Sequence, residues 1–371
     1  MIQRLLTLTI LGAITCAAVS DSINTASAAD PPALPARDVS ADEVDNAVDV
    51  AIKYLVSQQK ENGLINDQRS NEVAMTSLAL MAMAAVGHQP SDSTAAGAAM
   101  HKGLEYVLGD DRQADNGYFG SRDGSRMYGH GITTLMLSEL LGMGLNDAQD
   151  LKIRQRCQKA VDLILRAQQV KKSDRETGGW RYTPEARDAD LSVSVWQVMA
   201  LRSAKNAGLD VPGQAIQEAI EYLRRSNTRD RSRSDNQQGA ATSGFSYQPG
   251  TRDATFTMTS AGLLAMQVCG QYEAREVLEA TDWLADRKLE MKERFFFYGT
   301  YYYAQGMYQR GGDYAAHARR NVEEILLRHQ RPDGSWQSED GQERSAGNVY
   351  ATSMAVLSLS VKYHFLPIYQ R

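Results

Sequence analysis

The sequence predicts an all-α fold, built as an α/α toroid of six helix pairs. Three observations carry that prediction. An amphipathic helical pattern recurs six times along the chain. A turn with Gly and an aromatic residue follows most copies. Each turn leads into a second segment that is apolar on nearly every face, the pattern of a helix buried on both sides. Composition agrees, since Pro is scarce at 9 of 371 residues while Ala, Leu, Met and Gln are plentiful. The period of roughly 45 to 65 residues is that of a supersecondary repeat. Amphipathic copies form an outer layer and apolar copies an inner one. A toroid fits this inequality better than an open solenoid.

Residues 1–28 read as an export signal. Arg4 supplies the positive start, and an apolar run of about fifteen residues follows, too short to span a bilayer comfortably. Ala26-Ser27-Ala28 is a small-x-small cleavage site. An uncleaved anchor and a lipoprotein modified at Cys16 are the competing readings. The expected product is soluble and exported, periplasmic or secreted. Residues 29–40 form a Pro-rich linker, and Ser40 and Glu43 have the spacing of a capping box. The toroid is expected over 41–371.

The outer copies lie at 48–55, 102–108, 160–165, 219–223, 280–284 and 322–327. Three of them run on to glutamine: Gln58-Gln59, Gln168-Gln169 and Gln330. The turns include Gly117-Tyr118-Phe119, Gly178-Gly179-Trp180, Gly244-Phe245 and Gly334-Ser335-Trp336. Gly permits the positive φ of a tight turn, and the aromatic ring plugs the gap between helix pairs. The inner copies are 71–86, 130–143, 190–204, 253–268, 299–308 and 348–361. The polar, basic stretch 224–238 interrupts the fourth repeat and reads as a solvated loop, with a lid or docking arm as the alternative.

Charged residues make up 23% of the chain and the formal net charge is −5, which excludes a general nucleic-acid binder. Small molecules, lipids, glycans and proteins stay open. Cys157 and Cys269 either pair in an oxidising compartment or stand as two unpaired helical cysteines. The sequence has no CxxC and no zinc-type Cys/His spacing.

Aligned on their first hydroxyls, the inner copies share Thr76, Thr133, Ser194, Thr259 and Thr352. Four residues earlier stand Glu72, Gly129, Asp190, Thr255 and Asn348, on the same helix face. Parallel inner helices bring their N-termini, with free N–H groups and positive dipole ends, to one mouth of the ring. That mouth is expected to hold Glu72, Asp188, Asp190, Asp253, Asn348, Tyr128 and His130. Trp196 and Tyr302 are candidates for an aromatic wall. An Asp before an apolar helix is also an ordinary N-cap. Two carboxylates spaced i, i+2 in an apolar cavity do not both ionise cheaply, so one of the pair is a candidate Brønsted acid. His130 reads either as a hydrogen-bonded structural residue or as part of the cavity.

Repeats ending in Gln and then Gly-x-Trp resemble the QW-type repeats of squalene-hopene cyclases and protein prenyltransferase β subunits. Asp188-Ala189-Asp190-Leu191-Ser192-Val193-Ser194 is similar to the DxDD-T segment that carries the proton donor of class II terpene cyclases. The resemblance makes Asp190 the donor and Asp188 its tuning partner. The last Asp of the motif is Leu191 here, and the chain has length for one toroid where those cyclases have two helical domains. The Asp-x-Cys pair of the prenyltransferase zinc site has no match, so neither metal nor cofactor is implied. The chain looks most like the secreted single-toroid prenyltransferase and squalene-cyclase-repeat proteins of bacteria such as planctomycetes.

Three functions follow as expectations. One is a cyclase-like enzyme acting on an apolar polyprenyl substrate, with peripheral membrane contact to reach it. The second is a non-catalytic exported toroid that binds a ligand or partner at its mouth. The third is a polysaccharide-active enzyme, which would show exposed aromatics and a basic residue beside the acids.

Overall fold

The computed structural model describes residues 42–229, 243–251 and 253–370. The predicted export signal, the predicted linker and residues 230–238 of the polar stretch lie outside the described residues. Helices alternate between two layers. The outer helices are α1 (Glu43–Ser57), α3 (Ala95–Val107), α5 (Asp147–Gln168), α7 (Gly213–Ser226), α9 (Arg275–Ala285) and α11 (Gly312–His329). The inner ones are α2 (Glu72–Ala85), α4 (Arg126–Glu139), α6 (Leu191–Asn206), α8 (Phe256–Val268), α10 (Phe296–Arg310) and α13 (Asn348–Leu359). A short α12 (Gly341–Arg344) precedes the last.

The inner helices pack in the order α2, α4, α6, α8, α10, α13, and α13 returns to α2. The ring is therefore closed. Layering follows the sequence pattern. Every residue of α8 is buried, whereas α11 buries only Ala318, Val322 and Leu326. The fifth inner helix is longer than its sequence pattern, because Phe296 and Phe297 extend it into the core. The capping box of α1 is Asp42 with Asp45, two residues beyond the predicted Ser40/Glu43 pair.

One hydrogen-bonded clamp explains the repeat. Gln168 Nε2 donates to the carbonyl of Gly178 in its own turn, at 3.2 Å, and to Ala215 on the next outer helix, at 2.9 Å. Gln59 does the same to Gly63 and Ala99. Gln330 bonds Gly334 and then Ala47 of α1, so the sixth clamp ties the end of the ring to its start. A fourth clamp, Gln113 to Gly117 and Arg156, was not evident in the sequence because an irregular turn separates Gln113 from its helix. The glycine is required: Gly178 has φ +87°, and a Cβ there would lie 2.2 Å from the Glu218 carbonyl oxygen.

The turn's aromatic residue is fixed from the inner layer. Trp180 N–H donates to Ser194 Oγ at 2.8 Å, Phe245 N–H to Thr259 Oγ1 at 3.0 Å, and Trp336 N–H to Thr352 Oγ1 at 3.1 Å. In the second repeat Phe119 N–H donates to His130 Nδ1 at 3.3 Å. His130, not Thr133, is thus the counterpart of the hydroxyls. The polar stretch leaves α7 through a small antiparallel pair, β1 (Asn227–Arg229) with β2 (Ser243–Phe245). Cys157 and Cys269 are both unpaired. No helix of the described residues is long and apolar enough to cross a membrane.

Candidate functional site

All six inner helices start on one face, as expected, but at five of them the N–H groups are not open. Asp190 caps α6, its Oδ1 accepting from Val193 N–H at 2.9 Å. Thr255 caps α8. Three others are capped by an acid from outside their own helix. Asp123 Oδ2 accepts from Val73 and Ala74 of α2. Asp67 accepts from Asn348 and Val349 of α13. Glu343 of α12 accepts from Phe297 and Tyr298 of α10, at 3.2 and 2.9 Å. Acids at four of these helix starts and Thr255 at a fifth therefore take up donors that would attract an anion, whereas α4 has no side-chain cap.

The structure brings only part of the predicted set together at the mouth. Asp190 is fully buried. Its Oδ1 also accepts from Ser192 Oγ at 2.6 Å, and Ser192 Oγ pairs with the Tyr128 hydroxyl. Its Oδ2 has no hydrogen-bond partner. Arg181 Nη1 stands 3.3 Å away, outside hydrogen-bonding geometry and without another partner. The Tyr247 hydroxyl lies beside the same carboxyl. Arg181 also meets Asp188, Nε to Oδ2 at 3.4 Å. The guanidinium lies over the rings of Tyr182 and Tyr247, 4.6 and 5.6 Å from their centroids. Both rings are partly exposed, and their hydroxyls bond each other.

The electrostatics differ from the expected carboxylate pair. Burial raises the Asp190 pKa, against its hydrogen bonds from Ser192 and Val193 and the pull of Arg181. Asp188 is about half exposed and does not figure in that shift; Arg181 lies against both acids instead. Burial also raises Glu343, which is held by Ser338 and the α10 amides.

Other predicted residues lie elsewhere. Glu72 accepts from Tyr106 of the outer layer at 2.8 Å. Asp253 is exposed, and the α8 cap is Thr255. Asn348 opens α13 half-buried, its backbone held by Asp67 and its side chain accepting from Gln337. Trp196 and Tyr302 are in the ring's centre, packed edge to face. Trp196 also stacks on Tyr301 at 5.9 Å. His130 is fully buried, with Nδ1 accepting from Phe119 and Nε2 facing the Ala160 carbonyl at 3.1 Å. It is a structural residue, not a cavity residue. Nε2 carries the proton, because a carbonyl only accepts. Burial pushes its pKa down to about 4. The ring is expected to stay neutral down to about pH 5. Imidazole carbon-proton NMR shifts followed from pH 7 to pH 5 check this; a midpoint near 6.5 would contradict the buried placement.

Arg181, Tyr182, Tyr247 and Glu343 were missed by sequence reasoning. A charged residue directly after a buried turn Trp is the one local signal for Arg181. The acids acting from other repeats leave no local pattern. Among the described residues no three His, Cys, Asp or Glu side chains are placed to hold a metal ion.

No protein-family model and no curated protein matches the chain. Solved structures do. The GH76A α-1,6-mannanase of Salegentibacter sp. HEL1_6 is similar with a TM-score of 0.59 at 10% identity, over 87% of this chain and 100% of that one. An inactive variant of it is known in complex with α-1,6-mannotetrose. The type II terpene cyclase MstE from Scytonema is similar with a TM-score of 0.58 at 15% identity, over 87% of this chain and 99% of that one. An Asp-to-Asn variant of MstE is known with its substrate, geranylgeranyl dihydroxybenzoate. At these identities the likeness shows the fold alone: the chain is an α/α toroid of the architecture that terpene cyclases and glycosidases share.

Proposed function

We propose that the mouth of the toroid binds an uncharged, hydroxyl-rich ligand of the glycan class, with Asp190 as the proton-exchanging group at its centre. One observation carries this reading. Asp190 Oδ2 and Arg181 Nη1 form a buried ion pair at 3.3 Å that lacks hydrogen-bonding geometry, with the Tyr247 hydroxyl beside the carboxyl. Such groups are costly to leave unmade, and one hydroxyl satisfies both, donating to the carboxylate and accepting from the guanidinium. The partly exposed rings of Tyr182 and Tyr247 offer flat apolar faces beside that point. Five of the six inner-helix N-termini already carry side-chain caps, which favours a neutral ligand over an anion.

The polyprene-cyclase reading rests on a different observation, the raised pKa of a buried Asp190 that stands where the DxDD-like segment puts its donor. Two features weigh against it. A guanidinium 3.3 Å from the donor opposes the growth of positive charge nearby. The aromatic rings that would stabilise a cation are packed on one another in the ring's centre.

The test is calorimetric titration of the protein lacking residues 1–28 with neutral oligosaccharides, beside product analysis with polyprenes and with the same oligosaccharides. Asp190→Asn keeps the N-cap and removes the exchangeable proton. Oligosaccharide binding that the variant weakens by about tenfold, the worth of one hydrogen bond to a charged group, is the expected result. Bond cleavage by the wild type alone would add catalysis to the binding. Cyclised polyprene without glycan binding would overturn the reading and install the cyclase in its place. Binding unchanged in Asp190→Asn would move the site elsewhere.

A further inference from the structure

The chain after α13 does not trail off the toroid. α13 ends at Leu359 on the face opposite the mouth. In ring order α6 stands across from α13, yet the 3-10 turn Pro367–Tyr369 packs against α6. The last residues therefore cross the lower opening as a diameter. Leu366, Ile368 and Tyr369 are buried. Ile368 N–H donates to Glu139 Oε2, at the end of α4, at 3.1 Å. The Tyr369 hydroxyl pairs with the Tyr301 hydroxyl of α10. Beyond Tyr301 lie Trp196 and Tyr302, the centre of the ring. The segment turns at His364, whose φ of +58° is an unfavourable conformation for a side-chain-bearing residue and whose ring packs on Tyr308 at 4.2 Å.

Glu139 is the acid under this segment. It is 2% exposed and has no ion-pair partner among the described residues. Its other oxygen accepts from Ser203 Oγ of α6. The titratable groups facing it are Tyr301 and Tyr369, and burial pushes both phenols up, so they stay neutral. No cation offsets an ionised Glu139. Ionisation there is costly, and water reaches it most directly by lifting the chain end, which is held by the bonds to Glu139 and Tyr301 and, at its start, by the Tyr363 hydroxyl on Asp45 Oδ1.

We propose that residues 363–370 are a pH-operated strap over the lower entrance of the toroid, closed while Glu139 carries its proton and lifted when it ionises. Lifting exposes the aromatic centre from the side opposite the mouth. Burial raises Glu139 to about 7, so the change falls near neutrality. A raised carboxyl stabilises the closed form fully below its unfolded pKa, and that contribution is lost as pH rises through the folded value.

Hydrogen exchange of amides 366 and 368–370, expressed as protection factors from pH 5 to pH 8, tests this on the protein lacking residues 1–28. Wild-type protection is expected to fall by about 10- to 100-fold over that range. Glu139→Gln keeps an acceptor and removes the acid, leaving His364 in place, and its protection is expected to stay level. Tyr301→Phe is expected to lower protection by the same factor at every pH, and it keeps the test decisive should Glu139→Gln fail to fold. Level protection in the wild type, an equal fall in Glu139→Gln, or a pH dependence lost in Tyr301→Phe would each overturn the proposal.

Discussion

Trp180→Ala is expected to lower the unfolding free energy by about 3–5 kcal/mol, the usual cost of emptying a buried Trp site. Trp180 is 1% exposed and sits where the third outer helix, its turn and the third inner helix meet. Its indole N–H donates to the Ile164 carbonyl at 2.8 Å, so truncation also leaves a buried acceptor without its partner. Domains of this kind hold only about 5–15 kcal/mol in total, so the loss is a large share. The effect reaches the mouth, because the Trp180 carbonyl accepts from the Asp190 amide at 3.0 Å. Trp336 is the same device in the sixth repeat, with its indole on Leu326 and its amide on Thr352. Trp336→Ala should therefore cost a similar amount. Urea unfolding of both variants, with slopes compared to the wild type, measures it. A loss below about 1 kcal/mol at either site would mean that the turn aromatics do not seal the ring.

The ring was legible because its causes are local. A glutamine at the end of an amphipathic helix, a glycine that must take positive φ and an aromatic plug recur within one short stretch, and each repeat states the same arrangement again. Asp190 was legible for the same reason: an N-cap is a rule about residues three apart. What failed was whatever depended on direction or distance. α6 and α10 are apolar on all faces, so nothing in their pattern says that Trp196 and Tyr302 meet in the centre and not at the mouth. Asp67 caps a helix 281 residues away, and Glu139 holds an amide 229 residues away. His130 was left out of the hydroxyl alignment because an imidazole replaces the hydroxyl of the other repeats. The acceptor role is conserved across the ring's positions while the residue type is not. The sequence alignment on Thr133 was three residues out for that reason.

Arg181→Met is expected to leave stability almost unchanged at pH 4 and to lower it by about 1–3 kcal/mol at pH 8. Breaking a fully buried pair costs about 3–5 kcal/mol, and the partial exposure of Arg181 reduces that figure. The sign comes from Asp190. Burial already raises its pKa above the unfolded value, and Arg181 is the cation that pulls it back. Without Arg181 the folded pKa rises further. An acid raised on folding contributes stability below its unfolded pKa and loses it as pH climbs through the folded value. Towards pH 4 Asp190 increasingly holds its proton and depends less on a cation; at pH 8 the variant must either bury a bare carboxylate or keep it protonated at a cost. Asp190→Asn placed on the Arg181→Met background keeps the cap and removes the charge, so the pH dependence of the loss should vanish in the double variant. Thermal unfolding of the wild type and both variants at pH 4, 6 and 8 gives the comparison. An equal loss at all three values would assign the effect to the packing of the Arg181 stem on Tyr182 and Tyr247 and leave Asp190 electrostatically independent of it. A loss that grows with pH and disappears in the double variant identifies the same carboxylate–guanidinium pair that a bound hydroxyl would bridge.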